Sequence, residues 1–185
     1  GYGLPTVITQ RAELVTFVAA SGNSQTSARY LLRTKAAFLQ ISLPQGATLW
    51  SATVDGKPST PQRDGKDLVI SLPPTSANAL RDLQIVYETA AAPLTWLTEV
   101  TSVAPRLVVR TDNSGDGYEV PTADVLWYLV LPEGQRLVRS HGSVFKQYEP
   151  RWQGSASFVG RVLYGLGGGI GEFGILPGLL LSSKR

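Results

Sequence analysis

The sequence predicts an all-β fold, and three of its features support this prediction. Apolar and polar side chains alternate with a period of two in short runs, for example at 67-72 and 83-88, which is typical of strands. The chain has 19 Gly and 12 Pro, which interrupt any long helix. Two pairs, Asp55-Gly56 and Asp64-Gly65, separate strand-like runs, and Asp-Gly tolerates the positive φ of tight hairpins. These features together favour a β-sandwich.

Strands are predicted along most of the chain. One set lies near 13-19, 28-33, 37-43, 48-54, 67-72 and 83-88, and a second near 106-111, 124-131, 136-140, 144-148 and 157-164. Within the run at 83-88, Leu83, Ile85 and Tyr87 share one face. Successive side chains of a strand point to opposite sides, so Gln84, Val86 and Glu88 are expected on the other face.

A short sequence pattern occurs twice, 88 positions apart. Leu43-Pro44-x-Gly46 and Leu131-Pro132-x-Gly134 each follow an apolar strand, and Pro followed by Gly ends a strand in a turn. Two interpretations remain open, a common turn or a duplicated domain, and we favour duplication because Tyr30 and Thr34 also match Tyr118 and Thr122 at this offset. The spacing is close to the roughly 100 residues of an immunoglobulin-like sandwich.

The predicted organisation is therefore two tandem immunoglobulin-like β-sandwich units and an extended Gly-rich tail. The first unit spans 1-90, the second 95-164 and the tail 165-185, with Thr89 to Leu94 as the linker. The absence of Met indicates that Gly1 is not a translational start. We expect a processed chain or a piece of a longer one.

Composition excludes several classes of function. The net charge is +3, without a run of four basic residues, so no nucleic-acid partner is expected. The lack of Cys excludes disulfides, thiol catalysis and Cys-based zinc sites. The single histidine, His141, lies in a turn-like Ser-His-Gly-Ser stretch and no G-x-S-x-G is present, so no catalytic residue is assigned and the chain is not expected to be an enzyme.

The stretch from Asp112 to Gly117 resembles the start of a calcium loop. Asp112, Ser114 and Asp116 would supply oxygen ligands at positions one, three and five. The twelfth position holds Ala123 in place of the usual Glu, so a plain polar turn is the stronger interpretation and calcium the weaker one. No other cofactor is expected.

Another glycine-rich segment, Gly169 to Gly174, matches G-x-G-x-x-G in form only. A dinucleotide site needs a following helix, and Pro177 and Gly178 interrupt any helix there.

The C-terminal segment is the most apolar part of the chain. Val162 to Leu181 is 20 residues long with one charge, Glu172, so it is long enough to span a membrane, although its glycines make a poor helix. We favour docking on another copy of the chain or on a neighbouring domain over a membrane span or a free tail. The predicted docking residues are Leu166, Ile170, Phe173, Ile175, Leu176, Leu179, Leu180 and Leu181.

Large aromatic side chains are scattered through the chain, at Trp50, Trp96, Trp127, Tyr128 and Trp152. They could line a glycan groove. Alternation places Trp127 and Tyr128 on opposite faces of one strand, and we expect core packing for most of the five.

The segment LPQGATLWSATVDGKPSTPQRDGKDLVISLP, residues 43-73, resembles immunoglobulin-like β-sandwich domains of large bacterial cell-envelope proteins. The resemblance extends over about 30-88 and implies a fold and an extracellular or envelope location, without functional residues. The predicted function is a non-enzymatic structural module of an exported or cell-surface assembly that self-associates through strand edges and the tail. The alternatives are a carbohydrate-binding module, with or without calcium, and the ectodomain of a membrane-anchored envelope protein.

Overall fold

A computed structural model describes residues 7–74, 79–110, 117–136, 144–147 and 180–183. These residues form strands and the loops between them, and no helix lies among them. The strands are β1 Val7–Val18, β2 Ser24–Thr34, β3 Phe38–Ser42, β4 Thr48–Val54, β5 Lys57–Pro58, β6 Gln62–Asp64, β7 Asp67–Ser71, β8 Leu80–Thr89, β9 Arg106–Arg110, β10 Gly117–Glu119, β11 Val125–Val130, β12 Val144–Gln147 and β13 Leu180–Ser183. The all-β prediction is confirmed.

Two sheets form the body of the fold. The six-stranded sheet has the order β11-β1-β2-β8-β4-β5, and the five-stranded sheet has the order β10-β9-β3-β7-β6. Neighbouring strands pair antiparallel except β11, which runs parallel to β1 with Leu14 opposite Trp127. Strands β12 and β13 pair with each other in a separate two-stranded sheet.

The core lies between the two larger sheets, because one cluster of buried side chains draws on both. Leu14 and Ile85 come from the six-stranded sheet, and Ile41 and Ile70 from the five-stranded sheet. In β8, Leu83, Ile85 and Tyr87, which the period-two pattern places on one face, are all buried. Burial of side chains this large is worth roughly 1.5–3 kcal/mol each and is the main force that holds the sheets together.

The two Asp-Gly pairs form the predicted hairpin turns. Asp55 and Gly56, with φ of 53° and 75°, are the two-residue loop between β4 and β5, and positive φ at both positions is what a type I′ turn requires. Gly65, with φ of 62°, is the first residue of the loop that joins Asp64 to its partner Asp67.

The repeated Leu-Pro-x-Gly pattern forms the same turn at both places. Ala47 N donates to Pro44 O at 3.0 Å and Gln135 N to Pro132 O at 3.2 Å. The third residues, Gly46 and Gly134, have φ of 76° and 81°, as in a type II turn. The pattern thus specifies a local turn in both halves of the chain.

The tandem arrangement is not confirmed. Leu43 follows β3, an interior antiparallel strand of the five-stranded sheet, whereas Leu131 follows β11, a parallel strand at the edge of the six-stranded sheet. In addition β9 pairs with β3 and β11 with β1, so strands from both predicted units, 1-90 and 95-164, share the same sheets. Leu43 and Leu131 therefore occupy different places in the topology, although the turns that follow them meet the same steric demands.

A charged network crosses the face of the six-stranded sheet that points away from the core. Arg29 donates to both carboxylate oxygens of Asp82, with Nη2–Oδ2 at 2.7 Å, and these bonds raise the pKa of the Arg29 guanidinium. Arg29 and Arg11 both approach the buried Glu13 carboxylate, at 4.0 and 3.6 Å, and Arg11 Nε lies 3.4 Å from Asp124 Oδ2. The network links β1, β2 and β8 to the loop before β11.

Candidate functional site

The segment between β8 and β9, residues 90–105, passes from the six-stranded to the five-stranded sheet, and we call it the connector. Its first half packs on the turn between β1 and β2. Leu94 N donates to Ala20 O at 3.0 Å, and Gly22, with φ of 90°, lies against the connector backbone. A Cβ at position 22 would stand 2.0 Å from Ala92 O, so the close approach depends on glycine.

Two buried tyrosines fix the second half of the connector. Tyr87 OH donates to Val103 O at 3.4 Å, and Tyr30 OH donates to Pro105 O at 3.1 Å. Burial raises the pKa of Tyr87 to about 12 and raises the pKa of Tyr30 still further. Both phenols therefore stay protonated, and remain donors to the connector, throughout the physiological range.

The anchor at Tyr87 continues as a row of polar side chains across the six-stranded sheet. Trp127 Nε1 donates to Thr16 Oγ1 at 2.9 Å, and Thr16 Oγ1 lies 2.8 Å from Thr26 Oγ1. Thr26 in turn hydrogen-bonds the Tyr87 phenol and so partly offsets the effect of burial on its pKa. The hydrogen bonds of this row can all be donated in the same direction, from Trp127 of β11 toward the connector. A buried network in which each donor has an acceptor favours a single arrangement of the side chains.

The middle of the connector presents apolar side chains to water. Trp96, Leu97, Val100 and Val103 are 92%, 65%, 39% and 57% exposed, and we call these four the connector patch. Among the described residues they are half of the eight large apolar side chains that are exposed. Clustered exposure of this kind marks interaction surfaces.

A local turn holds the patch in place. Thr95 N donates to Thr98 Oγ1 at 2.7 Å, and Thr95 Oγ1 donates to Leu97 O at 3.1 Å. Glu99 is the one charged residue in the connector sequence. The patch is thus a neutral, apolar surface on a segment that is hydrogen-bonded at both ends and in its middle, and it is the candidate site of the described chain.

Sequence reasoning placed a linker at Thr89 to Leu94 and missed the patch that follows it. The available signal was an apolar stretch, Trp96, Leu97, Val100 and Val103, whose spacing fits no strand and which lies between two predicted strands. A period-two search passes over such a segment, because exposed loops carry no periodicity.

The other predicted sites fall mostly outside the described residues. Asp112, Ser114 and Asp116 lie outside them, as do His141 and the glycine-rich stretch from Gly169 to Gly174. Within the described ranges, no group of three or more His, Cys, Asp or Glu could hold a metal ion.

The predicted docking residues of the tail are described in part. Leu180 and Leu181 lie in β13, opposite Gln147 and Lys146 of β12, and β13 runs close to β11 of the same chain. The other six, Leu166, Ile170, Phe173, Ile175, Leu176 and Leu179, lie outside the described residues. No helix of the described part is long and apolar enough to cross a membrane.

The four aromatic candidates that the structure describes lie in different parts of the fold. Trp127 packs against the core, while Tyr128 is opposite Val15 on the other face of the sheet, as alternation predicts. Trp50 lies in a bulge of β4, where the register shifts between Leu49 and Ser51, and is 56% exposed. Trp96 is in the connector patch, and Trp152 lies outside the described residues.

No protein-family model and no curated protein matches the sequence. The fold is similar to that of the M1 zinc metallopeptidase from Deinococcus radiodurans, with a TM-score of 0.53 and 11% identity over 99% of this chain and 40% of that chain. A mutant of that enzyme bound to the substrate Tyr-Ser-Ala gives a TM-score of 0.51 at 10% identity, with the same two coverages.

A mutant described as a two-domain M1 zinc metallopeptidase, bound to L-arginine, matches equally well, with a TM-score of 0.53 and 11% identity over 99% of this chain and 40% of that chain. At such identities the likeness establishes the fold. The chain spans about 40% of the length of each of these three solved structures.

These comparisons correct the function predicted from sequence. The prediction of a self-associating structural module of an exported or cell-surface assembly is wrong, since the structures that share this fold are M1 zinc metallopeptidases. The error has a physical cause. Alternating strands and Asp-Gly turns specify a sandwich, and sandwiches of the same local pattern serve in unrelated proteins.

The residues present do not fit the zinc ion named in these relatives. Catalytic zinc in peptidases takes ligands such as two histidines and a carboxylate. This sequence contains one histidine, His141, and no cysteine. A zinc centre of that kind cannot be assembled from this chain.

Proposed function

We propose that this chain is the β-rich accessory module of a larger metallopeptidase of the M1 type, and that the hydrolytic centre belongs to another domain of the same protein. The observation that carries the proposal is the asymmetric coverage: 99% of this chain matches 40% of a two-domain zinc metallopeptidase. A chain that matches one portion of such an enzyme from end to end has the size and topology of a module of it.

The chemistry of the chain supports the same division of roles. Zinc-dependent hydrolysis needs a metal that activates water and a base beside it. With one histidine in 185 residues, these groups have to come from elsewhere in the protein. The module would contribute a rigid surface, which the tyrosine anchors and the polar row of the connector help to build.

The native protein provides the test. Antibodies against the recombinant 185-residue chain would purify the natural polypeptide, whose length, zinc content and hydrolysis of the peptide Tyr-Ser-Ala are then measured. We expect a longer polypeptide that contains zinc and hydrolyses the peptide. The recombinant chain with added zinc is the matched control and should show neither bound metal nor hydrolysis. A native polypeptide with neither zinc nor hydrolysis would contradict the proposal, and so would hydrolysis by the recombinant chain.

A further inference from the structure

The connector patch is an exposed apolar surface whose shape is set before any partner arrives. On either side of its middle the connector is hydrogen-bonded to the sandwich, from Leu94 N to Ala20 O and from Tyr87 OH to Val103 O, and a turn closed by Thr95 and Thr98 lies between these two bonds. Binding through a surface already held in its bound form avoids much of the entropy lost when a free loop is ordered.

The composition of the patch matches what the centre of an interface requires. Trp96 is 92% exposed, and tryptophan is among the residues that most often dominate binding energy when they enter an apolar pocket. Leu97, Val100 and Val103 are exposed in the same segment, and Glu99 is the one charged residue in the connector. A strongly charged partner such as nucleic acid has no matching groups here.

We infer that the connector patch docks into an apolar cleft of the domain that accompanies this module in the same polypeptide, with Trp96 as the central side chain. This inference rests on the proposed function. The chain spans 40% of the two-domain relative, so the remaining part of a protein built in this way has to meet the module on one of its surfaces. Among the described residues, four of the eight exposed large apolar side chains lie in this one segment.

Hydroxyl-radical footprinting with mass spectrometry tests the inference on single residues. The oxidation rate of Trp96 would be compared between the recombinant chain and the native longer polypeptide. We expect at least a tenfold lower rate in the longer polypeptide. Phe38 and Trp50, which are 61% and 56% exposed outside the connector, serve as references for the radical dose. Equal oxidation of Trp96 in the two proteins would overturn the inference.

A substitution gives an independent readout. Trp96→Ser should leave the melting temperature of the recombinant chain within about 1 °C, because an exposed side chain contributes little to its stability, and should lower that of the longer polypeptide by several degrees. Phe38→Ser is the matched control and should shift both proteins equally. An unchanged melting temperature of the longer Trp96→Ser protein would contradict docking.

The outcomes separate the two proposals. A longer polypeptide that contains zinc and hydrolyses peptide, but leaves Trp96 reactive, would retain the proposed function and reject the docking surface. A native polypeptide no longer than this chain would reject both.

Discussion

Replacement of Gly22 by Ala tests whether the connector depends on close backbone packing. Gly22 has φ of 90°, and a left-handed conformation costs an L-residue roughly 1–2 kcal/mol. The new Cβ would lie 2.0 Å from Ala92 O, 2.5 Å from Ala92 C and 2.7 Å from Ala91 O. All three are backbone atoms, so the connector has to move by more than about 1 Å to reach ordinary contact distance.

That movement breaks the hydrogen bond from Leu94 N to Ala20 O, which is 3.0 Å long and worth about 0.5–1.5 kcal/mol. Further strain arises in the chain on either side. We therefore expect Gly22→Ala to lower the free energy of unfolding by about 2–4 kcal/mol, measured by urea titration with circular dichroism. Chymotrypsin should also cleave beside Trp96 faster, because the first half of the connector is released.

Gly46→Ala is the matched control. Gly46 has φ of 76°, and a Cβ there would meet nothing within 4 Å, so this variant carries the conformational cost without the clash. We expect a loss of roughly 1–2 kcal/mol and unchanged chymotrypsin cleavage. If the two variants lose the same stability within about 0.5 kcal/mol, or if Gly22→Ala leaves the cleavage rate unchanged, the argument for close packing of the connector fails.

Two further predictions concern the anchor and the charged network. The free energy of unfolding should fall between pH 10 and pH 12, because Tyr87 releases its proton near pH 10 when unfolded but only at a pKa of about 12 when folded. Tyr87→Phe should reduce this fall by roughly 2–3 kcal/mol. Urea titrations at several alkaline pH values should therefore show a free energy of unfolding that depends less on pH in the variant than in the original protein. The same pH dependence in both proteins would contradict the assignment. In the charged network, a double-mutant cycle of Arg29→Met with Asp82→Asn should give a coupling energy of about 1 kcal/mol, since water partly screens this pair. No coupling would mean that the bidentate geometry contributes nothing.

The sequence by itself determined the fold class and much of the local geometry. Alternation at 83-88 placed Leu83, Ile85 and Tyr87 on one face of a strand, and that face is buried in the structure. The Asp55-Gly56 pair forms the expected turn with positive φ at both residues. Such features depend on residues a few positions apart, and the chemistry of each residue type restricts them strongly.

The tertiary structure decided which strands meet. Leu43 and Leu131 precede equivalent turns but follow strands of different sheets, because a local turn does not determine the partner of the strand beside it. The parallel pairing of β11 with β1 joins Trp127 to Leu14 across more than a hundred residues. No local pattern encodes such a contact, and burial in a common core selects it.

The candidate site depends on the same long-range packing. Trp96 was one of five aromatic residues for most of which core packing was expected, and only the fold shows that Trp96 and Leu97 face water. The hydrogen bond from Tyr87 OH to Val103 O, 16 positions away, follows from how the connector crosses between the sheets. Sequence pattern specifies which side chains are buried along a strand, whereas exposure of a connector depends on where the rest of the chain passes.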